Sequence, residues 1–526
     1  DFCQKRKRLV FSVFFTVPLV GSVTREEEEI SNLLLLRLPL FCPSSSADSV
    51  NLLLFKSSSP PPMAEIASTS SGRGHQSPPA PIMNLADDHL FTVLLLLPVD
   101  SILSFSSTCK RFRDLACSDS LWESLWRREW GPSSAESVKS SGLLLPWMVL
   151  FKRVCKLDSV SCHRISNLDD DDEEEESSSL LPLPRASHSL NFVTDYLVLF
   201  GGGREGGRHL DDTWTAYVGE SNQKTLKWKK ADSVTPGGRF GHTCVVIGDS
   251  LVLFGGINDR GERLNDTWIG RVGCHGKQLT WKLLAVLGSL KPPPRGAHAA
   301  SCISEKTMVV QGGIGLSGVR LGDTWILELS EDLNSGTWHE VVSNALLPPR
   351  SGHTLTYIRE NQVVLFGGRG LGYDVLNDVW LLDTQEQCER WIQIFYDFRD
   401  LEESASLPRV GHSATLILGG RILIYGGEDT FRHKKDDFWA LDVKTIPSKG
   451  LQVDGGAVCL NGSKAWKRLD GVSYRPKGRS FHRACADGSG RYVYVFGGMV
   501  DGLNLAVTSS LRFENELFMV ELILGL

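Results

Sequence analysis

Six arginine–histidine pairs recur along the C-terminal part of the chain, the two residues always three apart: Arg185/His188, Arg239/His242, Arg295/His298, Arg350/His353, Arg409/His412 and Arg479/His482. Histidine moves protons or ligates metals near neutral pH, and arginine clamps anions, so the set invites a catalytic reading. The spacing opposes it. The arginine-to-arginine steps are 54, 56, 55, 59 and 70 residues, which is the mark of one structural unit repeated. One histidine per unit spreads the six around a ring and cannot make one proton-transfer or metal site. Buried hydrogen bonding that ties neighbouring units is the reading that fits. No nucleophile–base pair stands outside the repeat.

The elements that must carry these pairs follow from what lies between them. After each pair an apolar run closes on two glycines, at Gly201-Gly202, Gly255-Gly256, Gly312-Gly313, Gly367-Gly368, Gly426-Gly427 and Gly497-Gly498. Asp-x-Trp follows in the first five copies (Trp214, Trp268, Trp325, Trp380, Trp439), then a further tryptophan (Trp228, Trp281, Trp338, Trp391, Trp466). Runs such as Leu251-Val-Leu-Phe are short, partly β-branched or aromatic and bounded by glycine, as buried strands are. Each copy supplies four such segments. A four-stranded sheet of this size cannot bury two apolar faces alone, whereas six packed radially can, which predicts a mainly β chain built as a β-propeller. Proline before several pairs (Pro184, Pro294, Pro349, Pro408) favours extended entry.

These four landmarks, in this order, resemble the kelch repeat over Pro184 to Leu522, and the resemblance implies a six-bladed kelch propeller. Copy six departs: Gly498 is followed only by Asn515-Glu-Leu-Phe518, with no final tryptophan. It lacks an outer strand, and the resemblance implies a strand lent from the other end of the domain. Val160-Ser-Cys-His-Arg-Ile165 is the candidate. Iron-dependent kelch enzymes, the specifier proteins of glucosinolate metabolism, carry Glu-x-x-x-Asp-x-x-x-His; the nearest match, Glu262 and Asp266, ends at Gly270. One ligand is missing, so neither a metal nor a cofactor is expected. The Asn-Cys-Arg of flavin-binding plant photoreceptors that combine an F-box with kelch repeats is absent as well.

At 526 residues the chain should hold two or more domains, and its net charge of −6 does not invite nucleic acid. Twelve cysteines without a C-x-x-C pair suit reduced thiols in the nucleus or cytoplasm. Lys5-Arg-Lys-Arg8 and the apolar run after it imitate a signal peptide, but the first methionine is Met63, so residues 1–62 read as an untranslated leader and 63–82, rich in Ser and Pro, as disordered.

Residues 83–130 read as a small all-α module. Leu90, Val93, Leu94 and Leu97 recur at helical spacing and Pro98 stops the helix. Asp100 should cap a second helix, a third runs from Thr108 to Leu115, and Ser120-Leu-Trp-Glu123 is a capping box for a fourth bearing Trp122, Trp126 and Trp130. With Cys109-Lys-Arg-Phe-Arg and Asp119-Ser-Leu-Trp122, this module resembles the F-box, except that the usual proline after the first leucine is Ala86. The resemblance implies docking on a Skp-type adaptor through Leu85, Leu90, Val93, Leu94, Leu97 and Pro98, although so small a module also needs leucines for its own core. Residues 131–183 read as a linker: a helix after Pro146 with Trp147, Leu150, Phe151 and Val154 buried, then eight acidic residues, Asp169 to Glu176. The propeller takes 184–526, with an insertion near Pro447–Ser463 that lengthens the gap between Trp439 and Trp466.

Together the two resemblances imply a non-catalytic receptor of an SCF-type cullin–RING ubiquitin ligase, or alternatively a kelch scaffold without a ligase role. Neither nucleic acid nor membrane is an expected partner. The loops after Gly-Gly carry Arg204, Arg208, Arg260, Arg263, Arg320, Arg369 and Arg432 (with Lys434 and Lys435), a candidate basic annulus for an acidic or phosphorylated protein substrate.

Overall fold

A computed structural model of the chain describes residues 81–167, 181–219, 225–232, 235–273, 279–342, 347–359, 361–384, 389–398, 407–446, 457–501 and 511–524. The expected leader, the Ser/Pro-rich lead-in up to residue 80 and the acidic run lie outside these residues. The chain divides into two compact units at Pro98.

In the first unit a helix spans Asp87–Leu96, with Asp87 and Asp88 in its first turn, where they complement the helix dipole. Leu97 is already extended, as the residue before a proline must be, and its N–H closes on the Leu94 carbonyl.

The second unit opens with five helices: Val99–Ser106, Lys110–Ala116, Asp119–Trp130, Pro132–Ser140 and Trp147–Lys156. Two expected caps are not made. Asp100 lies inside the first turn. The third of these helices starts one residue before the expected box, and Ser118 at its N-cap donates to Leu115 O (2.8 Å) while Glu123 accepts from Arg127 (2.9 Å). With Ser118 as N-cap, Ser120 and Glu123 both lie inside the helix, beyond the N-cap and N3 places of a box, and Glu123 pairs with Arg127 and Lys139 instead. The helix after Pro146 buries the four residues expected of it. Trp147 meets Trp126 edge-on at 5.3 Å and Phe151 stacks on Trp130 at 4.4 Å. Its other side is fixed to the β-structure: Arg421 Nη1 donates to Val154 O (2.6 Å) and Arg153 Nη1 to Leu524 O (2.8 Å). At Gly419, φ +92°, a Cβ would sit 2.7 Å from Val154 Cγ1, so only glycine lets helix and turn meet.

Each of copies one to five forms an antiparallel sheet in chain order. Blade two shows the pattern: Thr243–Ile247, Ser250–Ile257, Arg263–Val272 and Leu279–Leu283. The apolar faces are buried between neighbours, as when Val252 and Phe254 of blade two pack with Val310 and Trp338 of blade three.

Blade six is completed from upstream. Ser159–Arg164 pairs antiparallel with Leu517–Leu522, Val160 opposite Leu522 and Arg164 opposite Phe518. The candidate closing segment therefore supplies the missing outer strand, from within the stretch read as linker. It also runs parallel to the end of blade five's outer strand, Ser159 opposite Asp470. The same stitch recurs between blades two and three (Ala285 opposite Ser335) and four and five (Gln393 opposite Ala457). The last uses the insertion: beyond residues 447–456, which lie outside the described set, it forms the strand Ala457–Asn461 and a helical turn, Gly462–Ala465.

Candidate functional site

The six arginines are buried, and each is spent within its own blade. Arg185 gives Nη1 and Nη2 to the two Asp212 carboxylate oxygens (2.7 and 2.9 Å), Nη1 also to Gly201 O and Nε to Leu183 O. The same clamp joins Arg239 to Asp266, Arg295 to Asp323, Arg350 to Asp378 and Arg409 to Asp437. The Asp of Asp-x-Trp is thus the partner of the Arg that opens the copy, and the Trp indole donates to the same carboxylate (Trp214 Nε1 to Asp212, 2.7 Å). Burial raises the carboxyls of Asp212, Asp266 and Asp437, but the paired arginines outweigh it and hold all three below the usual range.

Copy six keeps this chemistry with different residues. Arg479 pairs with Glu516, Phe518 stands where the tryptophan would be, and Tyr474 OH donates to Glu516 in place of the indole. Asn515-Glu-Leu-Phe518 is the sixth Asp-x-Trp in altered form.

The arginine side chains tie strands inside a blade; the expected ties between blades come instead from their main chain and from the histidines. Gly202 N–H donates to Arg239 O and Gly498 N–H to Arg185 O, which closes the ring. His298, His412 and His482 reach back to Thr243, Thr354 and Ser413 of the preceding blade (2.8–3.0 Å). All six imidazoles are pushed well below the ordinary 6.5, first by burial and then by the neighbouring arginines, so they are neutral. Among the described residues no cluster of three His, Cys, Asp or Glu side chains is placed to hold a metal.

The residues just before the histidines build a feature that spacing alone does not reveal. Gly241 N–H donates to Ser187 O, Ala297 to Gly241, Gly352 to Ala297, Gly411 to Gly352, Phe481 to Gly411, and Ser187 back to Phe481 (2.6–2.9 Å). This closed belt requires positive φ in all six, including Ser187 (+55°), Ala297 (+54°) and Phe481 (+56°). The residues that follow the belt line a cavity of about 200 Å³, among them His298, His353, His412 and Arg483. Arg483 occupies the position held by Ser, Thr or Ala in the other blades; burial lowers its pKa to about 10, and its Nε donates to His188 O (2.9 Å).

The Gly-Gly loops leave the sheets on the belt's side, joined to it by bridges such as Ala186 with Gly203 and Phe240 with Ile257. The helix Trp147–Lys156 meets the turn at Gly419 and Arg421, which links first and second strands and so lies on the opposite face.

The structure does not leave the loop cations equivalent. Arg208, Arg260 and Arg432 are exposed and Arg204, Arg263 and Arg320 half-buried. Arg369 is held by Glu428 at 3.2 Å, and Lys434 bonds the same carboxylate. Carboxylates interleave with them: Glu205, Asp259, Glu262, Asp374 and Asp429 share these loops. An uninterrupted basic annulus is not what the side chains make. What sequence reasoning missed is apolar: Leu316, Val319, Leu371, Tyr373 and Phe431, at the loop tips of blades three to five, are between 54% and 80% exposed. Their signal was bulky apolar residues among glycines, in Gly315-Leu-Ser-Gly-Val319 and Gly370-Leu-Gly-Tyr373.

Of the leucine-rich set in the first unit, Leu90 and Leu94 are each 1% exposed. Leu85, Val93 and Leu97 are half-buried, and Pro98 is exposed, as is Leu96.

Comparison with known proteins agrees with both parts. Residues 82–124 match the F-box domain, and 167–341 and 272–457 match the KLHDC2/KLHL20/DRC7 Kelch-repeats domain. An F-box/kelch-repeat protein of Arabidopsis thaliana is 71% identical over 469 residues, covering 88% of this chain and 97% of the relative. Adagio protein 3 of the same plant is 27% identical over 473 residues (88% and 68%), and human Host cell factor 1 is 29% identical over 323 residues (52% and 15%). With its F-box module, its six-bladed propeller and a relative this similar along nearly its whole length, the chain belongs to the F-box/kelch-repeat family.

Proposed function

We propose that the protein is the substrate-receptor subunit of an SCF-type cullin–RING ubiquitin ligase. The observation that carries this reading is the presence of an F-box match and a propeller in one chain, as in the Arabidopsis relative. F-box domains bind Skp1-type adaptors. In this chain Leu90 and Leu94 are buried, whereas Leu96 and Pro98 are exposed and Val93 and Leu97 half-buried, which makes these four the candidates to meet the adaptor. The helix Trp147–Lys156 docks on the face away from the Gly-Gly loops, which leaves those loops open to a protein substrate. The chain supplies no chemistry of its own; the cysteine that carries ubiquitin is on other subunits. Eight described cysteines, all free, suit the reducing nucleus or cytoplasm where such ligases work.

Coexpression with a Skp-type adaptor and a cullin tests this. The three should purify as one complex, and Leu96→Lys with Pro98→Ala should release the adaptor while the propeller stays folded. A chain that purifies alone would point to a scaffold without a ligase role.

A further inference from the structure

The five Gly-Gly loops whose turns are described share one geometry. In each, the first residue's N–H donates to the fifth residue's carbonyl and the fourth residue's N–H returns to the first carbonyl. Gly207 to Arg204, Gly261 to Asn258, Gly318 to Gly315, Tyr373 to Gly370 and Arg432 to Asp429 are the equivalent closing bonds. The fourth position lies in the left-handed region in each of these five. Blades one to three fill it with glycine (φ +77°, +76° and +78°), but blade four uses Tyr373 at +65° and blade five Arg432 at +67°. A β-carbon at that φ is strained, more so on a bulky residue, and glycine is evidently compatible with the turn. The turn itself therefore does not call for the side chains at these two positions.

Both lie in the sector where the loop tips turn apolar. Blades one and two present Arg, Glu, Asn and Asp at their tips; blades three to five present Leu316, Val319, Leu371, Tyr373 and Phe431. The sector is continuous across the blade boundaries: Arg320 of blade three lies over the Tyr373 ring at 4.6 Å, and Arg369 of blade four bonds Glu428 of blade five. Its charges are unequal. Glu428 is buried and taken up by Lys434, Arg369 and Ser480, and Asp429 accepts from the Phe431 and His433 amides of its own turn. Asp374 is an exposed carboxylate, against Arg320 and the exposed Arg432, neither of which has a carboxylate partner among the described residues.

We propose that Tyr373 and Arg432, with Leu316, Leu371 and Phe431, form a docking sector on blades three to five for an extended acidic protein segment carrying an apolar or aromatic anchor. Strained backbone positions cluster at binding sites, aromatic and arginine residues dominate such contacts, and the surplus guanidiniums set the sign of the partner. The proposal rests on the receptor reading and narrows it to one half of one face.

A phage-displayed random peptide library, panned on the intact chain, provides the probe. Enriched peptides should pair acidic residues with an aromatic or large aliphatic one. A fluorescein-labelled copy of the best should lose about tenfold or more in affinity with Tyr373→Gly or Phe431→Ser, and with Arg432→Gly should lose both affinity and salt dependence. The urea midpoints of the two glycine variants should be unchanged or raised, because each restores the residue used in blades one to three. Peptides without acidic bias, failure to enrich any, or equal affinity for the variants would overturn the proposal. So would self-association of the chain that Tyr373→Gly abolishes, which would make a second copy the occupant. Adaptor titration of the same variants separates the two readings: lost adaptor binding with retained peptide binding removes the ligase role and leaves the sector standing.

Discussion

Lowering the pH should unfold the propeller through its histidines before its carboxylates matter. Six imidazoles are buried and neutral, each with a folded pKa well below the ordinary 6.5. In the unfolded chain they titrate near that ordinary value. As pH falls below 6.5 the unfolded state takes up protons that the folded state refuses, so stability is whole above that value and drains away beneath it. One unit below, each histidine costs about 1.4 kcal/mol, and six together cost up to about 8 kcal/mol. That is of the order of a domain's whole stability, about 5–15 kcal/mol. The lowered carboxyls of Asp212, Asp266 and Asp437 lose their contribution only as pH falls below the ordinary 3.8, so the histidine window opens well before theirs. Urea unfolding between about pH 7.5 and pH 5.5 measures the slope, at about 1.4 kcal/mol per pH unit for each proton. Several protons should be taken up, and His242→Gln should remove one. A slope of one proton or less would refute the assignment of the histidines as buried and neutral.

Three further outcomes follow from the clamps and the closing strand. Asp212→Ala leaves the buried Arg185 guanidinium without its carboxylate and should cost about 3–5 kcal/mol in urea unfolding, whereas Arg185→Met combined with Asp212→Leu should cost less than the sum of the single changes. Tyr474→Phe removes the hydroxyl that stands in for the missing indole in blade six and should cost about 1–2 kcal/mol; no change would mean that the Arg479–Glu516 pair does not need it. Val160→Asp puts a charge at a fully buried position of the ring-closing strand, and limited proteolysis should then open blade six before the others; uniform cleavage would count against that strand as the closure.

Much of this architecture is legible in the sequence because repetition supplies its own control. Arg-x-x-His, paired glycines and Asp-x-Trp recur in one order, and a departure in copy six is visible as a departure. The closing strand could be nominated because the missing outer strand, read with the kelch resemblance, calls for one from the other end of the domain. What the spacing cannot show is which groups touch. Arg185 and Asp212 are 27 residues apart in the chain, and only the fold brings the two landmarks into one clamp. Glu516 and Phe518 looked like a lost motif because they share its geometry and not its letters. The annulus of cations was over-read for a similar reason: a loop residue's charge is visible in sequence, but its carboxylate partner one blade away, as Glu428 is for Arg369, is not. The apolar tips are not legible for a related reason: leucine and tyrosine serve in cores as well as in loops, so their exposure appears only in the fold. Ser120-x-x-Glu123 is not a cap because the helix starts one residue earlier, at Asp119, which leaves both residues inside it.

Calorimetric titration of the intact chain with a purified Skp-type adaptor tests the central claim most directly. The receptor reading predicts one adaptor per chain, a Kd of about micromolar or tighter, and loss of the heat in Leu96→Lys with no change in Tyr373→Gly. Absence of binding by a chain whose propeller is folded, or binding that Leu96→Lys leaves intact, would contradict it.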